Sequence, residues 1–255
     1  GFLATAHEAP FTVRVAQPLV AAQLRARISP LRRRALLPRA IDLVAAGAGG
    51  RGDADAVRLA LWRLESGHAI GAVELERAAA LARAEYDFES TAELTGAAVE
   101  VEPSFGALLL QAEALHDLCR FDEADAVMQR AESLVDDDLA RIRLAVVRHR
   151  AALWGRHDGD GSVRVLQEAI DAMSVPLLRD LARSAIANAL LFSGHPAEVE
   201  AALAAFEGDG ELEQASQYFA RTISATLMGR TAAAVECGRE GLARRAELPE
   251  QAPIG

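Results

Sequence analysis

At 255 residues, with 51% hydrophobic and 25% charged side chains, the chain can hold one large domain or two small ones and is too apolar to be disordered. Its basic residues are all arginine, which excludes chemistry that needs a phosphate-loop or Schiff-base lysine. The formal net charge of −10 is uneven: Arg14, Arg25, Arg27, Arg32, Arg33, Arg34 and Arg39 face only Glu8 and Asp42 in residues 1–45, and the acidic remainder repels phosphate backbones, so residues 46–255 are not expected to bind nucleic acid directly.

Residues 1–10 read as weakly ordered. Phe11 to Val15 alternates apolar and polar residues and predicts one short strand, with no partner in sight. Pro18 opens a helix to about Ile28, and Ser29-Pro30 is a cap and first-turn proline for a second helix to about Ala46, kinked at Pro38. Residues 47–53 are a glycine-rich linker by composition. They match G-x-G-x-x-G literally, but a helix and not a strand precedes them, so the amides cannot converge on a pyrophosphate. Asp53 or Asp55 caps the next helix, which carries Leu59, Leu61, Trp62 and Leu64 and stops at Ser66-Gly67.

From there a helix-turn-helix unit recurs about every 33 to 39 residues. The pairs are expected at 72–84 and 88–101, 104–118 and 122–134, 139–154 and 161–173, 177–192 and 196–206, and 211–227 and 231–246. Small residues recur where two helices must touch: Ala79, Thr91 and Ala98, then Ala112, Ala124 and Ala131. Turns fall at Tyr86-Asp87-Phe88, Cys119-Arg120-Phe121-Asp122, Gly155-Arg156, Gly194-His195 and Gly229-Arg230, with Phe121 plugging its corner. Each pair has too wide an apolar stripe to stand alone, so stacking neighbours must bury it. The expected fold is an all-α right-handed helical solenoid over residues 54–248, preceded by a short segment, 1–46, containing one strand, and followed by a tail at 249–255.

Catalytic and metal-binding motifs are not found. The six histidines show no H-E-x-x-H spacing, no G-x-S-x-G elbow occurs, and no paired carboxylates share a face. His157-Asp158-Gly159-Asp160-Gly161 resembles part of a calcium loop, but Arg156 and Gln167 stand where the first and last carboxylates belong, so it reads as an enlarged turn. Asp136-Asp137-Asp138 reads as a helix start. Cys119 and Cys237 are too few for a disulfide framework. Cys119 is expected as a buried thiol at a helix corner, and a reducing cytoplasm is the default location. No apolar run approaches a membrane span of roughly 18 residues and no signal peptide precedes the first segment. The start at Gly1 suggests a piece of a longer polypeptide.

Two sets of residues are candidates for binding. Aligning the pairs puts Ala80, Glu113, His149, Asn188 and Ile223 in one row on the inner wall, among Leu109, Ala145, Ala152, Leu181, Ser184 and Phe219. That wall suits a mainly apolar ligand or a protein partner anchored by Glu113, His149 and Asn188, or simply packing. The arginine cluster from Arg25 to Arg39 suits a solvated helix face or salt bridges to a neighbouring domain, with phosphate contact as the alternative.

The repeats resemble tetratricopeptide repeats through their small-residue sets and Pro103, strongly in two copies and weakly in three. The order FTVRVAQPLV (11–20), ISPLRRR (28–34), LALWRLESG (59–67) and LHDLCRFDEA (115–124) resembles the middle of large LuxR-type regulators of the STAND ATPase class. That resemblance implies a winged-helix tail at 1–46 and a sensor region of repeats. It also implies a parent protein that binds ATP or ADP in a neighbouring ATPase domain and reads DNA through a C-terminal helix-turn-helix, both outside this chain. The repeats would then take a small-molecule inducer or a protein partner, with no cofactor in this fragment. The family often has a nucleotide-sensing histidine before the Pro-Leu pair; Gln17 stands there, and with Arg32 and Arg33 it is the implied nucleotide or domain contact. The alternative is a free-standing tetratricopeptide scaffold for protein–protein interaction.

Overall fold

A computed structural model describes residues 3–6, 12–15, 17–46, 53–208 and 211–247, in two compact units, Gly1–Ala114 and Leu115–Gly255. The first unit opens with an antiparallel hairpin, β1 (Leu3–Ala6) and β2 (Thr12–Val15), in the register Leu3 to Val15 and Ala6 to Thr12. The strand is therefore where alternation put it, but it is not unpartnered: part of the N-terminal stretch read as weakly ordered pairs with it, satisfying backbone groups a lone strand would leave open. A two-stranded hairpin of this kind does not by itself make a winged helix.

Helices follow: α1 (Pro18–Arg27), α2 (Pro30–Ala46), α3 (Asp53–Ser66), α4 (Ala72–Ala84), α5 (Phe88–Val101) and the start of α6 (Phe105–Asp117). Ser29 caps α2, its hydroxyl accepting from the Arg32 amide at 3.3 Å. Pro38 lies inside α2, while Leu37 and Ile41 on that helix are buried and α2 packs against α3. The expected glycine linker lies almost wholly outside the described residues. In the α4–α5 pair Ala79, Thr91 and Ala98 are fully buried, as is Ala112 on α6. Only small side chains allow backbones this close, which is why the pattern was readable from sequence.

The second unit contains α7 (Phe121–Glu132), α8 (Asp138–Arg150), α9 (Gly159–Ala172), α10 (Pro176–Phe192), α11 (Val199–Leu203), α12 (Glu211–Leu227) and α13 (Thr231–Glu247). Ala124 and Ala131 on α7 are again fully buried. One apolar cluster joins α8, α9 and α10 through Ile142, Leu166, Ile170 and Ile186; another joins α10, α11 and α12 through Leu191, Val199, Leu203 and Ala220. The helix expected at 196–206 is shorter. A 3₁₀ turn at Pro196–Glu198 leads into α11, which ends at Leu203 because Asp180 captures the amides of Glu207 and Gly208 and draws the chain aside.

The repeat identity is clearest in the turns. At Gly67, Tyr86, Cys119, Gly194 and Gly229 the residue is left-handed, its own amide bonds to the carbonyl three residues back, and the next amide bonds five back. Three of these positions are glycine, which pays nothing for φ near +60° to +90°; Tyr86 (φ 59°) and Cys119 (φ 58°) are not. Cys119 is exposed, not the buried thiol expected at this corner. The geometry explains why: a left-handed turn residue points its side chain away from the helices it joins. Changing Cys119→Gly is expected to raise unfolding free energy by about 0.5–1 kcal/mol, read from urea denaturation. A destabilised variant would mean the thiol makes contacts that outweigh the strain.

The third turn differs. α8 does not end at Arg150 but continues as one π-helical turn, Ala151–Gly155, and the left-handed residue is His157 (φ 54°), two positions beyond the expected turn at Gly155-Arg156. Asp158 N then bonds Ala152 O, six residues back instead of five. The π turn thus absorbs one extra residue without breaking the repeat.

Candidate functional site

The inner-row residues do not share one environment. Ala80 is exposed, and Glu113 approaches Arg83 at 3.8 Å while Arg83 also lies over the Phe88 ring. His149 is only 6% exposed, and its Nδ1 is 2.6 Å from Ser162 Oγ on α9, so it faces the helix it is paired with. Burial, helped by the neighbouring Arg150 charge, pushes its pKa down to about 4. Asn188 is half-buried, and its Oδ1 is enclosed without a hydrogen-bond partner among the described residues. Ile223 packs on the α10–α12 cluster, and Leu109, Ala145 and Ala152 are buried. Phe219 is exposed. In this row the packing alternative fits His149 and Ile223, while Glu113 and Asn188 retain polar capacity.

Among the N-terminal candidates, Gln17 and Arg32 are exposed, whereas Arg33 Nε is engaged with Glu65 Oε1 of α3 at 2.6 Å. That pair ties α2 to α3 and gives Arg33 a role within its own unit. Being exposed, it adds little to stability.

Sequence reasoning missed a cavity of about 330 Å³ in the second unit, between α7, the end of α8 and the start of α9. Met128, Ala152 and Val165 line it with Asp125, Arg148, Arg156, Arg164 and Glu168. Its walls are stitched by ion pairs. Arg148 grips Glu132 (2.8 Å) and Arg156 grips both oxygens of Asp125. Arg150 and Asp117, which do not line the cavity, pair at 3.1 Å. The hydrogen bonds and charge of Arg148 hold the Glu132 carboxyl below its ordinary pKa. The signal was in the chain: Asp125 and Glu132 stand two helical turns apart on α7, and Arg148 and Arg156 stand opposite with one extra residue, which the π turn takes up. Asp158, the N-cap of α9, also lines the cavity, accepting from Gly161 N at 2.8 Å. Asp158→Ala is expected to cost about 1 kcal/mol of stability, seen as a lower thermal midpoint; no change would show that the cap is replaced by water.

The π turn also places Trp154 outward. Its ring meets Phe192, from the end of α10, at a centroid distance of 4.9 Å and an interplanar angle of 60°. The two rings are 49% and 53% exposed. Ala152 and Arg156, which line the cavity, flank Trp154 in the same segment. Sequence alignment of the repeats contained a hint, since Trp154, Phe192 and Met228 all precede the left-handed residues of their turns by one to three residues.

Among the described residues no group of three or more His, Cys, Asp or Glu side chains is placed to hold a metal ion, and no helix is long and apolar enough to cross a membrane. No family model and no curated protein matches the sequence. Solved structures do. A tetratricopeptide repeat protein from Parabacteroides merdae superposes with a TM-score of 0.54 at 16% identity, covering 86% of this chain and 89% of that one. YrrB, described as a TPR protein with an unusual peptide-binding site, gives a TM-score of 0.42 at 16% identity, covering 69% and 87%. At this identity the first likeness establishes the fold and nothing finer: the chain is a tetratricopeptide-like, predominantly α-helical repeat protein.

Proposed function

We propose that the chain is a helical-repeat scaffold that docks a segment of a protein partner, with Trp154 and Phe192 as its anchor. The observation that carries this reading is the half-exposed, mutually packed ring pair formed between the π turn and the end of α10. Such rings offer large apolar area at little cost in side-chain entropy, the character of residues that dominate binding energy. The polar groups beside them, Arg156 and the charged cavity walls, could orient a bound segment. Asn188, with its unpaired carbonyl, is the further polar position this reading assigns in the second unit to a partner or to a small-molecule inducer, and Glu113 is a separate candidate position in the first. Selecting peptides from a displayed library against the intact chain tests it. Binders are expected to weaken by about tenfold or more in Trp154→Ala and Phe192→Ala, with the helical circular dichroism unchanged. Binders indifferent to both substitutions would reject this anchor.

A finer reading, the regulatory midsection of an ATP-dependent LuxR-type regulator, is supported by the segment order quoted from the sequence. On that reading a cytoplasmic parent binds ATP or ADP in an ATPase domain, Gln17, Arg32 and Arg33 meet that domain or its nucleotide, the repeats receive an inducer, and DNA is contacted through a C-terminal helix-turn-helix. Calorimetric titration of the parent protein with ATP and ADP is expected to show binding; its absence would remove this reading and leave the scaffold reading intact.

A further inference from the structure

The first unit carries two helix faces that stay exposed among the described residues. On α2, Arg32, Leu36, Arg39 and Leu43 follow one another at helical spacing on a single stripe, and all four are exposed, Leu43 by 74%. Leu19 and Leu24 on α1 and Leu31 at the start of α2 are exposed too. The buried side of α2 is the other one, where Leu37 and Ile41 meet α3. On α5, Glu89, Glu93 and Glu100 form an exposed acidic stripe, with Tyr86 and Val101 exposed near its ends. No ion pair of Arg32, Arg39, Glu93 or Glu100 occurs among the described residues. An apolar stripe of this kind studded with unneutralised arginines calls for a cover.

We propose that these faces are covered by each other across two copies of the chain, α2 of one molecule lying on α5 of the next. Charge complementarity selects this occupant. Arg32 and Arg39 are two helical turns apart, a rise of about 10.5 Å, and so are Glu93 and Glu100, so one docked helix pair sets both arginines against both glutamates at once. Leu36 and Leu43 then leave water against the second molecule, supplying the apolar part that exposed ion pairs alone lack. The two stripes are different surfaces of one unit, so the contact is head-to-tail and can continue beyond two copies as concentration rises. This inference is independent of the partner-docking reading, which uses the second unit.

Sedimentation velocity on the whole chain decides it. Average mass is expected to rise with concentration at low salt, and the association to weaken about tenfold or more at high salt. The double variants Arg32→Glu with Arg39→Glu, and Glu93→Arg with Glu100→Arg, are each expected to be monomeric, with circular dichroism confirming that both are folded. Mixing the two restores complementary faces and is expected to restore association, which neither misfolding nor nonspecific aggregation would do. A wild-type chain that stays monomeric at low salt, or association that ignores the reversals, would overturn the proposal. So would a monomeric chain whose arginine-leucine face instead binds vesicles containing phosphatidylserine.

Discussion

Asp180→Ala is expected to lower unfolding free energy by about 3–5 kcal/mol, the largest single-residue loss in the second unit. Asp180 sits at the start of α10 with a side chain only 1% exposed. Its two oxygens take the amides of Glu207 (3.1 Å) and Gly208 (2.8 Å) and the Arg183 guanidinium (2.7 Å). Removing the carboxylate leaves two amides without their acceptor and Arg183, itself nearly buried, with Glu207 at 2.8 Å as its acidic partner among the described residues. Leaving buried donors unpaired costs more than a surface ion pair contributes, which sets this site apart from Arg120–Glu123 or Arg244–Glu240. Asp180→Asn retains shape but presents its NH₂ to donors, so it too should destabilise, by less. Urea unfolding at neutral pH measures both; a loss below about 1 kcal/mol for the alanine variant would mean water substitutes for the carboxylate.

Stability is also expected to fall as pH drops from about 6.5 towards 4, through His149. Its pKa is about 4 in the fold, against 6.5 when unfolded. The unfolded chain therefore binds a proton over this window that the folded one refuses. The stabilisation is complete above the unfolded value and is lost as pH falls towards the folded one, roughly 3 kcal/mol across the interval. The Glu132 and Asp138 carboxyls are held below their ordinary values, so their contributions fade at more acid pH, beneath 4.5 and 3.8 respectively. Unfolding free energies of the wild type and His149→Gln at pH 7.5 and 5 separate the two effects. The wild type should lose much more than the variant over this range, and equal losses would show that the imidazole is solvated or already paired when charged.

Much of the architecture was legible in the chain, and the reason is local. Ala79, Ala98, Ala112, Ala124 and Ala131 are small because helices cross closely there, and all are fully buried. Asp137 caps α8 at the helix start expected of Asp136-Asp137-Asp138, whereas Asp158 caps α9 inside the stretch read as an enlarged turn, so that helix begins at Gly159 and not at 161. Errors came where a distant residue decides a local outcome. The short α11 follows from Asp180, more than twenty residues upstream. Cys119 is exposed because of its left-handed backbone, which nothing in a cysteine announces.

The candidate site was less legible. A row of equivalent repeat positions assumes that every copy presents the same face, but His149 turns to Ser162 and Glu113 approaches Arg83. The cavity and the Trp154–Phe192 pair depend on one added residue taken up by a π turn, a choice between an open loop and a wider helix turn that periodicity cannot make. Helix content, repeat period and the buried small residues were set by the order of amino acids alone, since hydrogen bonding and apolar spacing act within one or two turns. Which side chains face water, which carboxylate caps which loop and where the rings meet were decided only when elements far apart in sequence packed, because those energies belong to pairs that the linear order does not bring together.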